Sequence, residues 1–145
     1  MRVRLVKVDD HSFWVCVKYQ VWGSMKPRFK SWKVGEYVGI IVNKAVAGLA
    51  QVSGEAYEYW DPIWDNGIFP FRIPLEFIWV TTPDLRPPLA LEIGDALRSS
   101  FGPKYGWVVL SQALLPEAQS EKIISVILKI DNNLEEVKKN IVQNI

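Results

Sequence analysis

The sequence predicts an α+β fold, a small antiparallel or mixed β-barrel with helices packed on its outside. β-Favouring runs separated by turn residues dominate the chain up to residue 80, and helical patterns dominate after residue 88. The two kinds of segment do not alternate in the regular βαβ order that gives a parallel sheet. A length of 145 residues suits one domain that buries its core without help from disulfides or metal.

The first half of the chain holds three predicted strands. Residues 13–17, Phe-Trp-Val-Cys-Val, form a continuous β-favouring run, as expected for a strand buried on both faces. A turn at 33–36 leads into a second strand at 37–42, and Asn43-Lys44 predicts a tight hairpin turn into a third strand at 45–52. The last two strands are therefore expected to pair.

The segments between these strands carry loop signals. Gly23, Ser24 and Pro27 predict a loop that opens a short basic helix. Residues 53–70 form a long aromatic and acidic loop. Loops of that length in compact domains are usually functional.

After one more strand, the second half is predicted to be mainly helical. This strand covers residues 71–80, where Pro74 predicts an edge position or a bulge. The later elements are an amphipathic helix at 89–100 closed by Gly102-Pro103, a short last strand at 106–110, and helices at 116–129 and 134–145, the last capped by one of residues 131–133. We expect one domain over 1–145, with a core at about 12–128 and a helical tail at 131–145.

Rare residue types exclude several kinds of site. Cys16 and His11 are the single cysteine and histidine, so the chain cannot supply the four Cys or His ligands of a structural zinc site. A Ser-His-Asp or Cys-His catalytic arrangement would have to use His11. This residue lies in a turn-like segment, and the sequence around it does not indicate a catalytic site. We therefore expect no metal, no cofactor and no catalytic residues.

Hydropathy predicts the compartment. The apolar runs are far shorter than the about 20 residues that a membrane-spanning helix requires. Residues 1–10 also lack the apolar segment of a signal peptide. We expect a cytoplasmic protein without a membrane partner.

Charge is divided unevenly along the chain, although the net charge is only +1. Residues 1–50 carry nine Lys or Arg against three acids, a net +6, whereas residues 51–100 carry three Arg against eight acids, a net −5. This division could give one basic face suited to a polyanion, or the two regions could interleave in the fold and cancel.

Tryptophan is in excess, with seven among 145 residues. A small core needs few indoles, because each is bulky and carries an N–H that needs a partner when buried. Trp14 and Trp79 lie in apolar runs and are predicted to be core, and Trp32 is predicted to pack beside Phe29. Some of the remaining tryptophans are expected to face a ligand.

Ordered motifs give the chain a family resemblance. The stretch from Lys18 to Ser24, Lys-Tyr-Gln-Val-Trp-Gly-Ser, resembles the segment that opens the base pocket of YTH domains, which read N6-methyladenosine in RNA. It is equally similar to the start of EVE domains, their PUA-like relatives. Further elements similar to the EVE pattern are Gly35-Glu36, residues 47–52, Tyr57, residues 69–73 and the stretch from Gly106 to Gln112. The resemblance spans residues 13–128 in order.

The resemblance implies a PUA-like barrel whose pocket receives a flipped-out or single-stranded base, often a modified one. Trp22 matches the first pocket tryptophan. The second comes from the long loop, where Trp60, Trp64, Gly67 and Phe69 follow in family order, although Trp64 to Gly67 is one residue longer than the family spacing. Either Trp60 or Trp64 is therefore the second wall. The resemblance also implies a prokaryotic, archaeal protein.

The chemistry of these residues suits a base on physical grounds as well. Stacking on an indole contributes about 1–3 kcal/mol per base, and apolar walls favour an added methyl group by about 0.8 kcal/mol. The candidate base-binding residues are Tyr19, Trp22, Gly23, Ser24, Trp60, Trp64, Arg72 and Gln112. The candidate phosphate-binding residues are Lys18, Lys26, Arg28, Lys30 and Lys33. Gln112 rests on family position alone, and Arg72 either points into the pocket or pairs with an acid of residues 55–65.

The leading hypothesis is a non-catalytic module that captures a modified base from RNA or DNA. The alternative is a binding protein or enzyme for a free nucleoside or another small aromatic ligand, whose affinity salt would hardly change. A third hypothesis is a protein-interaction domain, with the aromatic loop as hot spot and the C-terminal helix as a homodimer contact.

Overall fold

A curled mixed sheet forms the centre of the structure, a computed structural model that describes residues 1–144. Within these residues the strands are β1 (Val3–Lys7), β2 (Val21–Ser24), β3 (Tyr37–Val42), β4 (Ala45–Val52), β5 (Tyr57–Glu58) and β6 (Phe71–Val80). The helices are α1 (Asp10–Tyr19), α2 (Gly94–Phe101), α3 (Gly106–Leu110), α4 (Glu117–Leu128) and α5 (Leu134–Asn144). The predicted α+β class is confirmed.

The sheet is a half-barrel with two free edges. Its strands lie in the order β1-β3-β4-β6-β2, and the short β5 also pairs with β6. β1 runs parallel to β3, whereas the other pairings are antiparallel. Among the described strands, β1 and β2 share no ladder, so a gap remains between these two edges.

The predicted buried strand at residues 13–17 is wrong, because this segment lies in α1. Asp9 caps the helix by accepting hydrogen bonds from Ser12 N at 2.7 Å and from Ser12 Oγ at 3.1 Å. Phe13, Cys16 and Val17 recur at helical spacing and are buried. A helix therefore buries this apolar run as well as a strand would, and the local cap decides between them.

The predicted hairpin is confirmed. Asn43 and Lys44 take φ values of 49° and 66°, the left-handed pair that a tight turn between antiparallel strands requires. The predicted strand at 71–80 is also confirmed, but β6 is not an edge strand. Pro74 pairs with Val21 of β2 and lies just beyond Leu75, where the pairing of β6 with β4 ends.

The later helices agree only in part with the prediction. The helix predicted at 89–100 begins as a π-type turn at Leu89–Ile93 and kinks at Leu91 before α2 starts. Residues 106–110 form α3, so the predicted last strand is wrong. The helices predicted at 116–129 and 134–145 are α4 and α5, and Ile145 lies outside the described residues.

The basic helix predicted after Pro27 is absent from the structure. Residues 25–36 contain turns and irregular backbone only. Phe29 and Trp32 still pack together, with ring centroids 4.8 Å apart, and both are buried. The segment is therefore held by its aromatic side chains instead of by helical hydrogen bonds.

Apolar side chains pack on both faces of the sheet. One core contains residues of α1 and α5, and the other contains residues of α2, α3 and α4. Leu5 and Val6 of β1 join opposite cores, as successive strand residues must. Trp79 is core as predicted, and its Nε1 donates to Ile130 O at 3.0 Å. No helix within residues 1–144 is both long and apolar enough to cross a membrane.

Candidate functional site

Two adjoining cavities lie beside the free edges of the half-barrel. The Trp64 cavity, of about 270 Å³, is lined by Lys7, Val8, Asp9, Ser12, Cys16, Trp22, Gly23, Trp64, Asn66 and Phe69. The Gln112 cavity, of about 730 Å³, is lined by Trp22, Gly23, Ser24, Met25, Lys26, Pro27, Arg28, Phe69 and Gln112. Lys7 ends β1 and Trp22 lies in β2, so the first cavity occupies the gap between the two edge strands.

Trp22 is positioned by the end of α1 and by the pairing of β2 with β6. Gln20 ends α1 with a φ of 53°, and its Oε1 accepts a hydrogen bond from Phe77 N at 3.0 Å. Trp22 then pairs with Ile73 in the antiparallel ladder. The side chain is only 6% exposed, and its buried Nε1 has no hydrogen-bond partner. The same indole borders both cavities.

Trp64 packs directly on the backbone of β2. A Cβ at position 23 would lie 2.6 Å from the Trp64 ring, so this close approach requires Gly23. Trp64 is 6% exposed, meets the edge of Phe69, and lines the same cavity as the buried Cys16. A bridge between Trp64 and Gly67 closes a tight turn in the aromatic loop. Of the two predicted alternatives, Trp64 is therefore the tryptophan that shares a cavity with Trp22.

Arg72 fixes the backbone of the aromatic loop and lines neither cavity. Its side chain is 2% exposed and donates to the carbonyl oxygens of Asp61, Ile68 and Phe69. The guanidinium also lies 5.3 Å from the centroid of the Trp64 ring. Arg72 was predicted either to point into the pocket or to pair with an acid of residues 55–65. It instead donates its hydrogen bonds to backbone carbonyl oxygens.

The polar groups of the Trp64 cavity come from the start of α1 and from the aromatic loop. The two oxygens of the Asp9 carboxylate both contact Ser12, which holds the carboxylate in place. Asn66 adds a side-chain amide, and Lys7 adds a cation. Sequence reasoning missed these four residues because it placed no helix start here. The spacing of Asp9 and Ser12 ahead of an apolar run is a helix N-terminal signal that could have predicted the start of α1, although not its position in the site.

The Gln112 cavity is bounded by a turn after β2 and by the segment after α3. Ser24 Oγ accepts a hydrogen bond from Lys26 N at 3.1 Å, which shapes the turn that presents Lys26 and Arg28. Gln112 has a left-handed backbone, with a φ of 55°, and its buried Oε1 has no hydrogen-bond partner. Arg4 Nη1 donates to Gln112 O at 3.0 Å, which ties this segment to β1.

Solved YTH domains share this architecture. The YTH domain of Zygosaccharomyces rouxii MRB1, solved in complex with N6-methyladenosine RNA, has a TM-score of 0.66 and 16% identity over 92% of this chain and 90% of that chain. The Pho92 YTH domain in complex with m6A has a TM-score of 0.65 and 13% identity over 87% and 82%. The Toxoplasma CPSF4-YTH domain in apo form has a TM-score of 0.65 and 9% identity over 90% and 88%.

The chain has the YTH fold. No family model matches the sequence, and no curated protein matches it. The YTH part of the sequence resemblance is therefore confirmed at the level of the fold.

Several predicted residues lie on the YTH fold away from both cavities. These residues are Lys18, Tyr19, Trp60, Lys30 and Lys33. Trp60 is 58% exposed, and its Nε1 donates to Glu58 Oε2 at 2.9 Å. The Lys18 ammonium lies 4.9 Å from the ring centroid of Tyr19. The cations that line the cavities are Lys7, Lys26 and Arg28.

His11 contacts Asp65 of the aromatic loop and has no nucleophile beside it in the described contacts. Its Nε2 is 2.8 Å from Asp65 Oδ2, and both side chains are largely exposed. This pair joins the start of α1 to the aromatic loop. Within residues 1–144, no group of three or more His, Cys, Asp or Glu is placed to hold a metal ion.

Cys16 gives the pocket of this YTH fold a measurable pH signature. Burial raises the pKa of its thiol from 9.0 to about 12. The unfolded chain therefore releases the thiol proton above pH 9.0 while the folded chain keeps it, so the stabilising contribution is lost as pH rises towards about 12.

We expect the free energy of unfolding to fall over this alkaline range more steeply for the natural chain than for Cys16→Ala. Urea denaturation of both proteins at matched pH values measures the difference, and the variant controls for lysine and tyrosine titration. Parallel pH profiles for the two proteins would contradict the prediction.

Proposed function

We propose that this chain is a non-catalytic reader module that captures a modified base of RNA in the Trp64 cavity. The observation that carries the proposal is that Trp22 and Trp64 line one small cavity beside cationic side chains. Two similar structures support it, because the MRB1 domain was solved with N6-methyladenosine RNA and the Pho92 domain with m6A.

The size and walls of the Trp64 cavity suit a single base. Its volume of about 270 Å³ lies just below the about 300–1,000 Å³ of pockets for drug-sized ligands. An indole stacked on a base contributes about 1–3 kcal/mol by alanine substitution. A methyl group buried between apolar walls adds about 0.8 kcal/mol, which favours the modified base over the unmodified one.

Asp9 lines the Trp64 cavity and offers its carboxylate as an acceptor for an exocyclic amino group of the base. An ionised carboxylate only accepts hydrogen bonds, so it pairs with an exocyclic amino group and not with a carbonyl. Adenine, cytosine and guanine carry such a group, and a single methylation leaves one N–H on it. A base with an amino group that carries one methyl therefore satisfies both the apolar walls and the carboxylate.

Salt dependence distinguishes binding of a strand from binding of a free nucleoside. Lys26 and Arg28 line the adjoining Gln112 cavity, where they are placed to contact phosphates. Each phosphate contact with a single strand changes the slope of log K against log salt by about 0.7. We expect the double variant Lys26→Gln/Arg28→Gln to lose about 1.4 from the magnitude of this slope.

The matched control is Lys30→Gln/Lys33→Gln, which removes the same charge from the same segment but lines neither cavity. Its slope is expected to change by less than that of the first double variant. Equal losses in the two variants would indicate a diffuse electrostatic effect and contradict the phosphate assignment.

The direct test of function is tryptophan fluorescence during titration with short RNAs that carry or lack an N-methylated amino group on one base. Quenching and tighter binding of the modified strand are expected. Absence of quenching at millimolar ligand would overturn the proposal. Salt-insensitive binding of a free nucleoside, with no gain from the strand, would favour the small-molecule alternative.

The proposal also includes a family assignment and the absence of catalysis. We take the chain to be an EVE-type PUA-like domain, on the motifs that run in order through residues 13–128. The absence of catalysis follows from its proposed role as a reader. A DNA ligand, a homodimer contact through α5, and a cytoplasmic, archaeal origin stay predictions from the sequence.

A further inference from the structure

Two residues that line the Gln112 cavity each carry a buried polar side-chain atom without a hydrogen-bond partner. Trp22 Nε1 is a donor and Gln112 Oε1 is an acceptor. The other unpartnered buried side-chain atoms in the described chain are Nε of Arg4 and Nε of Arg86, whose guanidinium groups make other hydrogen bonds. The indole N–H, by contrast, is the only polar group of its side chain.

The position of Gln112 is held by strong local constraints. Its backbone is left-handed, which is uncommon for a residue other than glycine. Arg4 Nη1 holds the Gln112 carbonyl at 3.0 Å, and Gln112 N donates to Val109 O at 3.2 Å. These contacts keep the side chain on the lining of the cavity while its Oε1 stays unpaired.

A donor and an acceptor on one cavity are both satisfied by a single hydroxyl group. A phosphate oxygen accepts from the indole N–H but offers no proton to Gln112 Oε1. The ribose 2′-hydroxyl both donates and accepts, and DNA lacks it. Lys26 and Arg28 on the same cavity are placed to hold the phosphates on either side of such a ribose.

We infer that the Gln112 cavity binds the ribose of a nucleotide next to the captured base. Its 2′-hydroxyl donates to Gln112 Oε1 and accepts from Trp22 Nε1–H. The inference rests on the proposed function, because the base in the Trp64 cavity sets the register of the strand. It adds a subsite that selects RNA over DNA at one defined position.

The test is a scan of single 2′-deoxy substitutions in a short RNA with one modified base. Dissociation constants are measured by fluorescence anisotropy for strands altered at the modified nucleotide or at either neighbour. One neighbouring position is expected to lose about 3- to 10-fold in affinity, as the loss of one or two hydrogen bonds predicts. The other positions are expected to lose less.

Two variants of Gln112 tie this penalty to the proposed contact. Gln112→Met keeps the length of the side chain but removes the acceptor, whereas Gln112→Glu keeps an acceptor. Methionine and glutamate are non-glycine residues like glutamine, so the left-handed backbone at position 112 disfavours all three alike. The 2′-deoxy penalty is expected to vanish in Gln112→Met and to persist in Gln112→Glu. Thermal unfolding of both variants checks that they remain folded.

The outcomes separate this inference from the proposed function. Loss of all binding that depends on the modified base would overturn the proposed function. Tight modified-base binding with a flat 2′-deoxy scan would overturn the ribose subsite alone. A penalty that persists in Gln112→Met would also overturn the subsite, because the hydroxyl would then be bound elsewhere.

Discussion

Trp64→Ala is expected to weaken capture of the modified base by about 5- to 150-fold, the equivalent of 1–3 kcal/mol of lost stacking. Trp60→Ala is expected to leave capture unchanged. Both tryptophans lie in the same aromatic loop, but Trp64 packs against Gly23 and lines the cavity, whereas Trp60 is 58% exposed and lines neither cavity. The dissociation constant of the modified RNA, measured by anisotropy for the three proteins, gives the comparison.

Trp64→Ala is also expected to destabilise the fold, because removing a buried tryptophan costs about 3–5 kcal/mol of stability. A loss of binding in this variant alone could therefore reflect unfolding. Trp64→Phe is therefore a useful companion, since it keeps an aromatic face in the cavity. Folding of each variant is checked by thermal unfolding before binding is measured. A larger loss of binding in Trp60→Ala than in Trp64→Ala would show that the wall had been assigned to the wrong residue.

Arg72→Met is expected to lower the free energy of unfolding by about 2–5 kcal/mol, because three loop carbonyls lose their donor. Arg72 is 2% exposed and donates to Asp61 O, Ile68 O and Phe69 O. Its guanidinium also lies against the Trp64 ring. Modified-base binding is expected to weaken as well, since the loop that carries Trp64 loses its anchor.

Arg98→Met is the matched control for this change. Arg98 pairs with Asp95 on the surface of α2, and exposed pairs of this kind contribute about 0–1 kcal/mol. Urea denaturation of both variants measures the difference. A loss in Arg72→Met no larger than that in Arg98→Met would contradict the anchoring role.

Local patterns predicted the sheet where turn chemistry and strand length agree. Asn43-Lys44 specified the hairpin, and the long, mostly apolar run of β6 identified the strand at Phe71–Val80. The strand predicted at 13–17 failed because β-favouring side chains also suit a buried helix face once Asp9 supplies a cap. The strand predicted at 106–110 is wrong for a related reason, because such a short apolar run fits a helix as readily as a strand.

The candidate site was predicted in part. The predicted residues that line the cavities are Trp22, Gly23, Ser24, Lys26, Arg28, Trp64 and Gln112. Gln112 was predicted from its family position alone. The choice between Trp60 and Trp64 depended on how the loop folds onto β2, which spacing alone does not determine. Asp9, Ser12 and Lys7 reach the site because β1 and α1 meet at the gap in the half-barrel, a tertiary event without a sequence motif of its own.

Trp22 borders both cavities, so in the proposed function one side chain contacts both the captured base and the neighbouring ribose. A ligand in either cavity restricts the same indole, which makes the other cavity better ordered for its own ligand. The energies of base and sugar binding should then not add, and changes at Trp22 should cost more than the sum of separate defects in the two cavities. The module would thus accept a modified base and its neighbouring nucleotide as one unit, and respond weakly to either fragment supplied alone.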